Sequence, residues 1–342
     1  MDGILKKIKQ SDAFNRENRV PYLKVIVLMS LFTFVFLGAE FLFVNMISRI
    51  VSGHRSVAAQ NYALGVSAVG FVLYPLLCRF CKGNAQTSVS VCAAVISNAC
   101  LFLMCRSGSY TLTLIAGLLL FLILGVFGSA VFYKSLCLLE DNTHIARLTG
   151  ISYMLGTMLQ IANSNLVHID IAEAAILSVF IMLLALMLIR AEKNSVVPAL
   201  SKSEPDGGNG RESLKISVIL VFFVALMTCI FSTLDNAVTL IHASGEANIG
   251  QWPRVLLALS GLLAGFLFDT ASRKYMSIVM YCITVLSTTC LVILQFAESF
   301  TVGLVIFYLA AGFFAVFFTV SFMEIARYTE TPELWAGLGR AV

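Results

Sequence analysis

Apolar residues run in long unbroken stretches along this chain, separated by short polar breaks, from about residue 25 to residue 323. A window of about 19 residues predicts spans over 25–48, 61–79, 86–105, 111–138 and 148–167. Five more follow over 172–190, 216–240, 252–269, 275–296 and 301–323. Each reaches or approaches the ~20 residues a helix needs to cross hydrocarbon. The runs are continuous and do not alternate in ten-residue pieces, so they predict helices and not barrel strands. Helices also satisfy every backbone amide within the segment, which lipid requires. The softest boundaries lie near 148–167, where Gln160, Asn163 and Asn165 dilute the pattern, and near 240–252.

Composition agrees with the pattern. Hydrophobic residues make up 59% of the 342 positions and charged residues 12%, about half of what a soluble domain uses to solvate its surface. The first twenty residues are polar and basic, without the short apolar core of a removable signal peptide. Of nine cysteines, Cys92, Cys100, Cys229, Cys282 and Cys290 sit inside apolar runs, where a thiol behaves as a small hydrophobe. No disulfide framework is implied.

Charge fixes the orientation. With the N-terminus inside, nineteen of the 23 basic residues fall in cytoplasmic segments. Only Arg49, Arg55, Arg106 and Arg254 fall outside. This is the positive-inside bias, and it places both termini in the cytoplasm of a multi-pass plasma (inner) membrane protein. Residues 191–214 combine Pro, Gly, Ser and charge, the composition of a flexible linker. The chain is thereby divided into an N-terminal segment 1–24, a six-helix bundle 25–190, the linker 191–214 and a four-helix part 215–342.

The two parts repeat. Ala63-Leu64 and Gly70-Phe71 of the second span reappear as Ala258-Leu259 and Gly265-Phe266 of the eighth, at a constant offset of 195. The segment from Leu124 in the fourth span matches the segment from Ala311 in the tenth, at an offset of 187. Spans one and seven each follow a lysine, Lys24 and Lys215, and carry an asparagine 21 positions later, Asn45 and Asn236. After span four comes Ala146–Gly150, leading into span five, and after span ten comes Ala336–Arg340, close to the last residue. The expected fold class is therefore an all-α integral membrane protein of about ten transmembrane helices in two parallel bundles. It counts six plus four of an expected six plus six, with the last two helices lacking.

In the second half stands Gly265-Phe-Leu-Phe-Asp269-Thr-Ala-Ser-Arg273-Lys274. It resembles the Gly-x-x-x-Asp-Arg-x-Gly-Arg-Lys loop of the major facilitator superfamily, with Thr270 and Ser272 in place of the usual Arg and Gly. The first-half copy keeps Gly70 but has Tyr74 and Pro75 where the Asp-Arg would stand, with Arg79 and Lys82 supplying basic charge. The resemblance implies a transporter that rocks two bundles about a midplane site. Gly70 and Gly265 would allow close helix approach. Asp269 would pair with basic groups or cap a helix N-terminus, latching the cytoplasmic side with Arg79, Arg273 and Lys274.

Ionisable side chains within a span are costly unless they face a cavity or a partner. Glu40 is the leading candidate. It lies roughly 24 Å along the first helix from Lys24 among Gly38, Phe41, Leu42 and Phe43, where a carboxyl group could bind and release a proton. A structural pairing with Arg49 or Arg55 is the alternative. Asp235 lies roughly 30 Å beyond Lys215, close to the outer water boundary. Asn45 and Asn236 are neutral candidates for lining a cavity, since the resemblance implies that helices one and seven face it. Lys134 stands near the cytoplasmic end of span four, where it can snorkel to the interface or meet an anionic solute.

Other motifs carry little. Cys78-Arg-Phe-Cys81 is a lone CxxC, and His54, His144, His168 and His242 show no metal-ligand spacing. The 26 phenylalanines are expected to face lipid. With no GxxxxGK loop and no nucleic-acid motif, neither ATP nor nucleic acid is an expected partner, and no cofactor, metal or catalytic residue is expected. The expected partners are the bilayer, a small-molecule solute and protons. The expected function is secondary active transport. The alternatives are a non-transporting sensor on the same fold and a ten-helix transporter of the drug/metabolite type.

Overall fold

The structure is a computed structural model. It describes residues 19–51, 53–81, 83–139, 144–194, 210–243, 252–269, 274–293, 300–329 and 331–339. Arg273 and the middle of the linker, 195–209, lie outside these residues. Ten helices of 18 to 34 residues follow in chain order. They are α1 (Arg19–Ile50), α2 (His54–Phe80), α3 (Asn84–Arg106), α4 (Tyr110–Leu138) and α5 (Ile145–Leu166). Then come α6 (Asp170–Asn194), α7 (Gly210–Ala243), α8 (Trp252–Asp269), α9 (Lys274–Ile293) and α10 (Phe300–Ala326). A seven-residue helix, α11 (Pro332–Leu338), follows.

Each of the ten predicted spans coincides with a helix. Among the described residues seven of them, α1 to α4, α6, α7 and α10, are long and apolar enough to cross a bilayer. The fold is an all-α integral membrane one. Several helices overrun their predicted spans: α7 begins at Gly210, not near 216, and α6 continues to Asn194. Hydropathy falls where hydrocarbon ends, but the i→i−4 hydrogen bonds continue into the polar interface.

The helix faces are inverted relative to a soluble bundle. On α5, Leu155 and Leu159 are exposed while Gln160, Thr157 and Ser152 are buried to 2% or less. Lipid solvates leucine as well as another helix does, so polar side chains and small residues collect where helices meet. Thr149 and Ser152 hydroxyls donate to the carbonyls of Ile145 and Leu148 four residues back, which satisfies them without water. These polar interior positions are also why α5 falls short on hydropathy.

Two ends of the bundle can be distinguished. Helices α1, α5 and α7 begin, and α2, α8 and α10 end, at what we call the basic face, where most of the described Lys and Arg residues lie. The other end is the far face.

Glycines set the crossings. A Cβ at Gly70 of α2 would collide with the Leu122 carbonyl of α4, and one at Gly125 with the Ser67 carbonyl of α2. The α8–α10 crossing repeats this arrangement, with Gly312 against Leu257 and Gly261. Gly125 and Gly312 are related by the sequence offset of 187. Gly265, the counterpart of Gly70, has a different partner. It packs against Gly150 of α5, where an added Cβ on either residue would lie 2.8 Å from the other's Cα. Glycine thus joins α5 in the first half to α8 in the second. Valine at Gly150 is expected to push these helices apart and to cost about 1–3 kcal/mol, read as a lower melting temperature of the purified chain.

Candidate functional site

A cavity of about 480 Å³ lies between the two halves, lined by α1, α2, α7, α10 and Gly339 just beyond α11. Its wall is chiefly aromatic. Seven of the 26 phenylalanines line it, among them Phe32 and Phe71 from the first half and Phe231 and Phe314 from the second. The rings of Phe231 and Phe314 stack at 4.8 Å with an interplanar angle of 8°. This corrects the expectation that the phenylalanines face lipid: a window on composition cannot tell a ring turned to hydrocarbon from one turned to a cavity. The polar part of the wall comes from Asn61, Ser67, Thr228, Ser232 and Asp235.

At the far end of the cavity, polar side chains from both halves interlock. The Gln60 amide nitrogen on α2 donates to Glu40 Oε1 on α1 at 2.9 Å. The same nitrogen reaches Asp235 Oδ2 on α7 at 3.4 Å. Beside it, Asn61 Nδ2 donates to Asn236 Oδ1 at 3.2 Å. An amide NH₂ has two hydrogens to give, so one glutamine can hold two carboxylates from two halves.

Arg254, in the first turn of α8, lies over the Phe41 ring at 4.8 Å and donates to Gln160 Oε1 at 3.4 Å. It interacts electrostatically with Asp235, with Glu173 of α6 and with Tyr308 of α10. Glu173, 4% exposed, accepts from Asn163 at 3.4 Å.

Glu40, Asp235 and Asn236 are thus brought together. Neither Asn45 nor Glu40 is in the cavity lining, but Glu40 adjoins it through Gln60 and Asp235. The structural pairing considered for Glu40 does not form with Arg49, whose guanidinium makes a two-pronged contact with Asp170 of α6, 3.0 Å for its NH2 arm. Arg55 is exposed. Gln60, Asn61, Gln160 and Arg254 are not among the site residues the sequence points to, although Gln160 stands out there as a break in an apolar run. The first three are neutral, and Arg254 reads there as an outer-loop charge. Their signal was a run of hydrogen-bonding side chains at span ends with no lipid use.

At the basic face, Asp269 ends α8 with its side chain 1% exposed. It accepts the backbone N–H of Arg147 at 3.1 Å, and the Arg147 Nε lies 3.6 Å from the same carboxylate oxygen. Arg147 is in the first turn of α5, whose leading N–H groups have no partner in their own helix. The carboxylate therefore caps α5 and pairs with its arginine together. In the first half Tyr74 occupies the corresponding place, buried with its ring 6.3 Å from that of Tyr133. Arg79 is exposed at the end of α2, and Lys274 opens α9.

Lys134 is remote from the central cavity. It borders a small cleft between α2, α3 and α4 together with Cys78 and Cys81, its ammonium 5.9 Å from the Tyr133 ring. Among the described residues no three His, Cys, Asp or Glu side chains gather as a metal site would require.

No family model matches the sequence, and no curated protein matches it. Solved structures do match the fold. The human organic anion transporter MFSD10 (TETRAN) superposes with a TM-score of 0.58 at 14% identity, over 94% of this chain and 90% of that one. The major facilitator superfamily transporter FucP, in the outward conformation, gives 0.60 at 14% identity over 95% and 89%. A mutant of the nucleoside transporter NupG gives 0.57 at 15% identity over 94% and 86%. Ten long helices, the repeated glycine crossings and a cavity between two halves agree with that likeness: this chain has the fold of the major facilitator superfamily transporters.

Proposed function

We propose that the chain is a secondary transporter of a small solute, working by alternating access and driven by protons. The carrying observation is a cavity between the halves together with contacts between the halves toward each face of the bundle, which we read as two closures. At the far end Gln60 joins Glu40 to Asp235, and at the basic end Asp269 joins α8 to α5. Releasing one closure while the other holds would expose the cavity to one side at a time. Charge distribution supports a plasma-membrane protein with the basic face and both termini in the cytoplasm. The rocking units in this reading are residues 25–190 and 215–342, with 1–24 and the linker 191–214 outside them. No catalytic step is part of it.

The cargoes named for the similar structures, an organic anion for MFSD10 and a nucleoside for NupG, belong to different classes. Substrate must therefore be argued from this chain's own cavity.

A single cysteine at Ser232, which lines the cavity, tests the cycle without knowing the solute. In a chain whose native cysteines are replaced, a membrane-impermeant maleimide applied from either side reports access. Asp269→Ala is expected to raise labelling from the basic face about tenfold, and Gln60→Ala to raise it from the far face. Labelling that stays on one side in both variants, or proceeds from both sides at once, rejects alternating access.

A further inference from the structure

The lining of the central cavity carries a definite charge preference. Among the described residues Asp235 is its one ionisable side chain, and no described Lys, Arg or His lines it. The remaining polar groups, Asn61, Ser67, Thr228 and Ser232, are neutral. The cavity is otherwise bounded mostly by phenylalanine, whose ring faces carry negative electrostatic potential and attract cations. An anion placed there would meet these faces and the Asp235 carboxylate together. Arg254, the guanidinium that interacts with Asp235, is not part of the lining. It is held over Phe41 and against Gln160, and Glu173 draws on the same charge. A strongly hydrophilic solute fits poorly as well, because few hydrogen-bonding groups line so large an apolar wall.

Building on the transporter reading, we propose that this cavity takes a small organic cation bearing an aromatic or bulky apolar group. The positive centre lies against Asp235 and the apolar body among Phe32, Phe71, Phe231 and Phe314. The volume of about 480 Å³ is within the range of small-molecule sites and accommodates one or two rings with a substituted ammonium. Quaternary and tertiary amines suit the site better than primary amines. They shed less hydration on entering an apolar wall and spread their charge over methyl groups that can touch the ring faces.

The test compares three probes that share a benzyl group and differ in charge: benzyltrimethylammonium, phenylacetate and uncharged benzyl alcohol. Each is titrated calorimetrically into the purified full-length chain in micelles, with empty micelles subtracted. The cation is expected to bind about tenfold or more tightly than phenylacetate. Asp235→Asn should remove that preference while benzyl alcohol binds within about twofold of its native affinity, and Asp235→Glu should retain the preference. Phe231→Leu should weaken the cation about threefold and the alcohol less, since leucine keeps the bulk but loses the ring face.

Phenylacetate binding as tightly as the cation, no cation binding at millimolar concentration, or a cation affinity unchanged in Asp235→Asn overturns the proposal. Should Asp235→Asn lose benzyl alcohol as well, the fold is damaged there. The native cation-to-anion ratio and Phe231→Leu then decide. The readout is binding alone. A chain that selects the cation but fails the Ser232→Cys labelling test keeps this inference and loses the transporter reading, and the converse result does the opposite.

Discussion

Replacing Glu40 with glutamine is expected to make access to the cavity from the far face insensitive to pH. In the native chain the same access should change about tenfold as pH rises from the range where one carboxylate of the pair is protonated to the range where both are ionised. Glu40 and Asp235 are held through one Gln60 amide group. When both carboxylates are ionised they repel each other across the boundary between the halves. A proton on either removes that repulsion and adds an O–H donor, so the closure tightens as pH falls and loosens as pH rises.

Among the described residues, the charged and titratable groups that interact with Asp235 are Glu40, Arg254 from α8 and Tyr308 from α10, and Glu173 from α6 shares Arg254 with it. Arginine keeps its charge throughout this range, so it offsets part of the repulsion without changing its direction. Glutamine at position 40 is neutral at every pH and keeps a carbonyl that Gln60 can still donate to. The far closure of the variant should therefore stay tight, and coupling of transport to a proton gradient should be lost. The measurement is the maleimide labelling rate at Ser232→Cys from the far face at several pH values. A native pH response surviving in Glu40→Gln removes Glu40 from the coupling.

The second large effect is expected at Gly125. A leucine there should prevent accumulation of folded protein, or lower its stability by about 3 kcal/mol or more. The obstacle is backbone. A Cβ on Gly125 runs into the Ser67 carbonyl and lies 3.0 Å from the Gly70 Cα and the Phe71 nitrogen. Side chains can turn aside, but a facing helix backbone must retreat as a whole. Ser67 and Phe71 also line the cavity, so the displacement would spread into it. Gly125→Ala should fall between native and leucine. Monodispersity on gel filtration and the melting temperature decide, and a native-like melt in the leucine variant would show that α2 and α4 do not cross this closely.

Much of the fold is legible in the sequence because bilayer thickness asks for an apolar run of about 20 residues in every span, and residues such as Lys24 and Lys215 mark where spans begin. The repeat was legible at Gly70 and Gly125 because only a missing side chain permits that crossing. It was less legible at Gly265, since the same residue in the same register faces α5 instead of α10.

The site was half legible. Glu40 and Asp235 are visible because a charge within a span is costly. Gln60 and Asn61 are neutral and cost little at a span end, so nothing in their local sequence marks them as joining the halves. Arg147 is hidden for another reason. Positive-inside bias would already account for an arginine between the fourth and fifth spans, and only the fold reveals that this one pairs with Asp269, 122 positions away. The phenylalanines of the cavity share their hydropathy with those on the outside, so position alone distinguishes them.

The seam between α5 and α8 has a consequence for assembly. Gly150 and Gly265 allow backbone contact, and Arg147 and Asp269 fix the register at one end, so each half presents the other with a shaped and charge-matched docking strip. Covalent continuity through the linker is then dispensable. Two separate polypeptides, one ending and one beginning within 195–209, should find each other in the bilayer and co-purify when expressed together. Their association should fail when valine replaces Gly265. On this view the molecule is a heterodimer that happens to be encoded in one reading frame.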